Sequence, residues 1–180
     1  MDVQIKILLG DITTSDTEAI VNAANTNLLA GSGVCGAIFK AAGYEELQAE
    51  CNKLSPIKTG DAVVTNGYNL KAKYVIHTAG PIYRSQTDAI YLRNSYYNSL
   101  LAAESNYITS ISFPSISTGI YGYPIADASV VAINAIFEYF KDYPESKIKE
   151  VRFYLFDDYT FSIYQSEYER KMKELLKNEQ

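Results

Sequence analysis

Along its whole length the chain switches between two hydrophobic periods, and this limits what it can fold into more than any other feature. Stretches in which apolar residues alternate, as on a half-buried strand, are followed repeatedly by stretches in which they recur every three or four residues, as on a helix. Elements that alternate in this way bury their apolar faces by packing helices on a sheet, so the chain reads as a layered α/β fold. Strands are expected at Val3 to Leu9, Ala19 to Asn22, Ala62 to Thr65, Tyr74 to Thr78, Ile108 to Phe113 and Val151 to Phe156. In the first, Val3, Ile5, Ile7 and Leu9 are expected to face one way. Helices are expected at Val34 to Ala42, Tyr44 to Leu54, Ala89 to Ser105, Ile125 to Phe140 and Phe161 to Lys177. In the fourth, Val130, Ile133, Phe137 and Phe140 form the stripe that should meet the sheet, with Pro124 where a first-turn proline is tolerated. In the last, Tyr164, Tyr168, Met172 and Leu175 form the stripe, and the charges around it, Glu167 and Arg170 among them, read as a solvated face.

No linker and no repeat interrupts this pattern, so residues 1–180 read as a single domain. A chain of this size buries about 70% of the surface its unfolded form exposes and needs no disulfide scaffold. The apolar content of 47% and charged content of 21% are those of a soluble globular protein, without a run apolar enough to span a bilayer. The start, MDVQIKILLGD, alternates and carries an acid at position 2, which reads as a strand of a cytoplasmic protein and not as a secretory leader. Cys35 and Cys51 lack the paired spacing of a zinc site, so they are expected as reduced thiols, with no metal. Cys51 is expected to pack within its helix. The net charge of −5 argues against bulk nucleic-acid binding, which draws on clustered Lys and Arg. One nucleotide is a different matter, because oriented backbone amides hold phosphates without any basic side chain.

Two glycine-containing loops offer such amides. The first lies in NAANTNLLAGSGVCGAIFKAAG, Asn22 to Gly43, and runs from a strand into a helix, so free N–H groups point at an anion. The second, STGIYGYP from Ser117 to Pro124, also stands between a strand and a helix. Two such loops in one domain point to a diphosphate held between them. GSGVCG formally matches G-x-G-x-x-G, but AANTNLLA separates the strand from the first glycine and no ribose-binding acid ends a second strand. NAD(H) oxidoreduction therefore ranks below other nucleotide readings.

Several side chains carry two readings. Asp11 either caps a helix or turn starting at Thr13 or Thr14 or accepts a hydrogen bond from a base amino group. Asn22 reads as closing a turn. Asn25 lies where strand gives way to loop, and its amide suits a ribose diol. Cys35 stands in the first turn of a helix, where a thiol pKa can fall, but a nucleophile needs a base and the only histidine, His77, reads as a satisfied core residue. A half-buried thiol is the plainer reading of Cys35. Tyr121 lies inside the second loop, where its ring can cover a sugar, and Phe156 ends the last strand, where it either stacks on a base or joins the core.

Taken together, GDIT at Gly10 to Thr13, AIVNAAN at Ala19 to Asn25, GSGVCGAIFKAAG at Gly31 to Gly43, IHTAGPIY at Ile76 to Tyr83 and ISFPSISTGIYGYP at Ile111 to Pro124 closely resemble the macro domain family, nearest its MacroD-type ADP-ribosyl hydrolases. The resemblance implies a three-layer α/β/α fold with a mixed, mostly parallel six-stranded sheet and ADP-ribose across the carboxyl ends of the strands. It implies that Asp11 and the backbone of Ile12 read adenine beside Phe156. Ala23, Asn25, Gly31, Gly33 and Val34 would contact the distal ribose and phosphates, and Ser117, Thr118, Gly119, Ile120 and Tyr121 would close from the other side. Asn25 matches the family asparagine implicated in binding and turnover. In MacroD-type hydrolases the block around Cys35 reads GVDGAI, and a thiol of pKa near 8.5 is a poor substitute for that carboxylate as a base. Alphavirus macro domains also resemble this chain in having GVC there and are regarded as hydrolases, a branch in which the substrate's own phosphate would activate water. Asn25 and Cys35 are thus the candidate catalytic residues. The activity implied is binding of ADP-ribose and hydrolysis of mono-ADP-ribose from acidic side chains of modified proteins, without a cofactor. The alternatives are a reader module that does not cleave and an O-acetyl-ADP-ribose deacetylase.

Overall fold

The computed structural model describes all 180 residues. Six strands, β1 (Gln4–Leu9), β2 (Ala19–Ala24), β3 (Ala62–Asn66), β4 (Tyr74–Ala79), β5 (Ser110–Phe113) and β6 (Glu150–Leu155), form one sheet in the order β1-β6-β5-β2-β4-β3. All neighbours are parallel except β3 and β4, so the sheet is mixed and mostly parallel, as the resemblance implies. Helices α1 (Gly33–Ala42) and α2 (Tyr44–Leu54) cover one face, and α3 (Ala89–Ser105), α4 (Ile125–Asp142) and α5 (Asp158–Asn178) cover the other. Every expected element is present, and its ends move by at most three residues. The largest change is at α5, which begins early because the Asp157 carboxylate caps it, accepting from the Thr160 N–H at 2.7 Å. No helix is long and apolar enough to cross a membrane.

The strands divide their side chains between two cores by the period of two. Ala19 and Val21 of β2 join the larger core under α3 to α5, whose centre is a set of tilted rings, Tyr96, Phe113, Phe153 and Tyr164. Ile20 and Ala24 turn to the smaller core under α1 and α2. Asn22 lies on that same face, fully buried inside β2, so it does not close a turn as its sequence context indicates. Three apolar residues also sit differently from expectation. Leu9 is exposed at the end of β1, Val130 lies at the solvent edge of the α4 stripe, and Met172 is exposed on α5 although Leu175 beyond it packs on the larger core. Glu167, expected on a solvated face, is nearly buried, its carboxylate held by the Arg170 guanidinium at 2.7 Å.

Candidate functional site

Neighbouring parallel strands β2 and β5 each end in a loop at the same edge of the sheet, and the gap between the loops is a cleft of about 390 Å³. Clefts at the carboxyl ends of parallel strands are where open α/β sheets bind ligands. One wall is residues 23–25 and 31–35; the other is residues 115–117 and 119–121, with Gly80 between them.

The first wall presents the start of α1. Ser32 occupies the N-cap position without a side-chain hydrogen bond, and the first main-chain bond is from the Gly36 N–H to Ser32 O at 3.2 Å. The N–H groups of Gly33, Val34 and Cys35 are therefore uncapped and line the cleft, which is the arrangement that favours an anion. Gly36 permits this turn: a Cβ there would stand 2.4 Å from the Gly31 carbonyl oxygen. Asn25 holds the loop that leads in. Its Nδ2 donates to Leu29 O at 2.8 Å and its Oδ1 accepts from the Leu29 N–H at 3.0 Å. One amide N–H and one oxygen lone pair remain for a ligand.

The second wall is fixed from below by tyrosines. Tyr96 Oη donates to Pro114 O and accepts from the Ile116 N–H at 3.0 Å, while Tyr164 Oη bonds Ser115 Oγ at 2.7 Å. Above them Ser117 adopts a left-handed backbone with φ of 67°, and its buried Oγ has no partner. The loop closes through the Tyr123 N–H donating to Ser117 O and the Gly122 N–H donating to Gly119 O. Helix α4 starts at Ile125, outside the cleft, so this wall presents loop amides and not a helix terminus. The two walls meet because residue 80 is glycine, where a Cβ would stand 2.3 Å from Ser117 Oγ and 2.5 Å from Ile116 Cγ2.

Beneath the first wall runs a buried polar seam. Asn22 and His77 are register partners, and the Asn22 amide donates to His77 Nδ1 at 3.0 Å. His77 Nε2 bonds Thr65 Oγ1 at 2.9 Å and lies 3.7 Å from Cys51 Sγ, so Cys51 packs against β4 as well as within its helix. Burial drives the His77 pKa down to about 3, which keeps the imidazole neutral, a satisfied core histidine. Burial pushes the Cys51 thiol up to about 12. Cys35 tops the seam, in contact with Asn22 Nδ2 and Leu29 O, both at 3.7 Å. Its thiol pKa is raised by burial, which outweighs the hydrogen bonds that lower it. The helix terminus does not make it a thiolate.

The Macro domain family model matches residues 21–132, which holds both walls of the cleft. The chain belongs to the macro domain family. Human ADP-ribose glycohydrolase MACROD2 is 45% identical over 175 residues, covering 95% of this chain and 40% of that protein. An uncharacterized protein of Fusobacterium nucleatum is 43% identical over 172 residues, covering 94% of this chain and 97% of its own. Among solved structures, the Oceanobacillus iheyensis macrodomain with ADP superposes with a TM-score of 0.90 at 38% identity, covering 96% of this chain and 94% of that one. The Trypanosoma brucei macrodomain in complex with ADP-ribose does so with a TM-score of 0.83 at 34% identity, covering 92% and 68%.

In this macro domain the cleft gathers Ala23, Asn25, Gly31, Gly33, Val34, Cys35, Ser117, Gly119, Ile120 and Tyr121. Thr118 turns away, its Oγ1 bonded to Ser115. Asp11, Ile12 and Phe156 lie outside the cleft lining, just past the ends of the parallel neighbours β1 and β6 at the same edge of the sheet. Asp11 caps the short 3-10 turn Ile12–Thr14, accepting from the Thr13 N–H at 2.9 Å and Thr13 Oγ1 at 2.8 Å, and one carboxylate oxygen stays free. Phe156 is 77% exposed and Ile120 86%, two large apolar side chains standing open at the rim. Sequence reasoning gave no role to Gly80, Ser115 or Ile116. The only local signal was the Gly-Pro after β4, which marks a chain reversal without saying what it faces.

Proposed function

We propose that the cleft binds ADP-ribose and that the protein hydrolyses the ester joining mono-ADP-ribose to acidic side chains of modified proteins. The observation that carries the binding reading is the pairing of uncapped α1 amides with the amides of the 117–121 loop across one cleft, with Asn25 in the first wall. Opposed amides suit a diphosphate. The free donor and acceptor of Asn25 suit the distal ribose, and the exposed Phe156, at the same sheet edge as Asp11, suits adenine at the open end. Relatives named for ADP-ribose hydrolysis and solved with ADP-ribose or ADP support the same ligand.

Turnover follows from what this site would hold near the distal ribose. Water attacks C1″, the C1″–O bond to the protein carboxyl breaks, and its electron pair leaves on the carboxylate. That leaving group is already a stable anion at neutral pH, so the site needs little general acid. The water's proton passes to the ligand's own phosphate, and positive charge developing on the sugar lies next to the diphosphate. Cys35 then contributes as a neutral contact at the wall, donating to Leu29 O and holding loop geometry, and not as a base.

The test of binding is thermal shift with ADP-ribose, AMP and NAD. ADP-ribose at 100 times its dissociation constant is expected to stabilise the fold by about 2.7 kcal/mol, with AMP and NAD weaker at equal concentration. No shift with ADP-ribose, or a preference for NAD, would overturn the reading. Release of ADP-ribose from a glutamate-modified protein tests turnover. A wild type as inactive as Asn25→Ala would leave a reader module.

A further inference from the structure

A second depression of about 570 Å³ adjoins the cleft and shares Gly80 and Tyr121 with it. It lies over the ends of the sheet that the cleft does not use. The strand order makes this directional: Asp11 and Phe156 follow β1 and β6, the two cleft loops follow β5 and β2, and the depression follows β4 and precedes the antiparallel β3. A ligand laid with its base at β1 and β6 and its diphosphate between the loops ends, at β2, on the distal ribose. Whatever is attached to that sugar must leave toward β4.

What lines this exit is unusual for the chain. Lys58 and Arg84 are exposed on two different segments that line it, and neither takes part in an ion pair of the fold. One carboxylate, Asp88, shares the depression, but its Oδ2 is occupied by the N–H groups of Arg84 at 2.7 Å and Ser85 at 3.1 Å. The depression thus carries a net positive charge on a chain whose overall charge is −5, next to a cleft lined by neither Lys nor Arg. Exposed Ile82 and Tyr91 give it apolar edges as well.

Resting on the reading of the cleft as an ADP-ribose site, we propose that this depression is the subsite for the protein part of the substrate and selects acidic sequence around the modified residue. Lys58 and Arg84 take carboxylates that flank the modified side chain, while Ile82 and Tyr91 pack on the peptide. A short acidic peptide fits better than a longer polyanion such as an ADP-ribose polymer, because beyond the two cations the negative molecule repels extended negative charge.

The experiment measures displacement of a fluorescent ADP-ribose by four competitors: free ADP-ribose, a short ADP-ribose oligomer and two peptides, each bearing one ADP-ribosyl group through a linkage that is not hydrolysed, one with Glu and Asp flanks and the other with Gln and Asn. The acidic peptide is expected to compete about three- to tenfold better than the neutral one at low salt, in line with two exposed ion pairs, and to lose the advantage at high salt. Lys58→Ala/Arg84→Ala should erase the advantage while leaving free ADP-ribose unchanged, and Lys58→Glu/Arg84→Glu should reverse the preference. Equal competition by the two peptides, or an advantage that survives the double substitution, would overturn the proposal. So would a short ADP-ribose oligomer losing more than the acidic peptide, since a polymer would then be the occupant. If free ADP-ribose fails to bind the wild type, the reading of the cleft fails first and this inference with it; if ADP-ribose binds and the peptides do not differ, only this inference fails.

Discussion

The two walls of the cleft do the same job on opposite physical terms. The second wall stands on the aromatic core, where Tyr96 and Tyr164 reach from α3 and α5 to hold residues 114–116 by hydrogen bonds protected from water. The first wall stands on the polar seam and is tied by a half-buried amide, Gln48 of α2, whose Nε2 donates to Leu28 O at 3.0 Å and whose Oε1 accepts from the Ala30 N–H at 2.9 Å. The Asn25 clamp on Leu29 and the close passage of Gly36 under Gly31 hold it locally as well. Both loops are thus held by side chains from a distant helix, the second by buried tyrosines of the core and the first by a half-buried amide backed by its own local bonds. The difference teaches that an amide cradle can be built either on buried core rings or on a half-buried amide with tight local geometry, and the two should fail differently.

Gly36→Ala should have the largest effect. The added methyl meets a backbone carbonyl that cannot rotate away, so the first wall must shift, with about 1 to 3 kcal/mol lost in stability and more than tenfold in ADP-ribose affinity. Chemical denaturation and calorimetric titration measure the two losses. Tyr96→Phe should come next: it leaves Pro114 O and the Ile116 N–H buried without a partner, for about 1 to 3 kcal/mol of stability and a smaller loss of affinity. If Tyr96→Phe costs affinity but no stability, the second wall is not braced by the core as described.

The seam under the first wall makes a pH prediction. His77 titrates near 6.5 when unfolded and near 3 when folded, so between these values the unfolded chain binds one proton more. Stability supplied by neutral His77 is fully present above about pH 6.5 and is lost as the pH falls toward 3. The expected slope is about 1.4 kcal/mol per pH unit. His77→Gln should remove that slope in urea melts from pH 6.5 to 4.5, and a slope that persists unchanged would place the titration elsewhere.

The element pattern was legible because each strand and helix carries its own period in adjacent residues. α2 and α3 match their sequence spans residue for residue, and the glycine loops announce themselves between strand and helix. What was not legible depends on distant partners. Asn22 looked like a turn residue because its neighbours are small, yet its amide is used by His77, which lies beside it only once β2 and β4 pair. Gly80 looked like ordinary punctuation until Ser117 and Ile116 stood against it. Leu9 and Val130 keep the right period but fall past the edge of the surface they address. Asp11 shows its capping reading, one carboxylate oxygen holding the Thr13 turn while the other stays free.

The smallest expected effect belongs to Cys35, and it bears on the central claim most directly. Release of ADP-ribose from a glutamate-modified protein is measured from pH 6 to 9 for wild type, Cys35→Ala and Asn25→Ala. A buried, protonated thiol predicts that Cys35→Ala keeps the wild-type rate within about threefold with the same pH profile, an allowance of less than 1 kcal/mol, while Asn25→Ala loses most of it. A wild-type rate that climbs with thiol ionisation and collapses in Cys35→Ala would contradict the account.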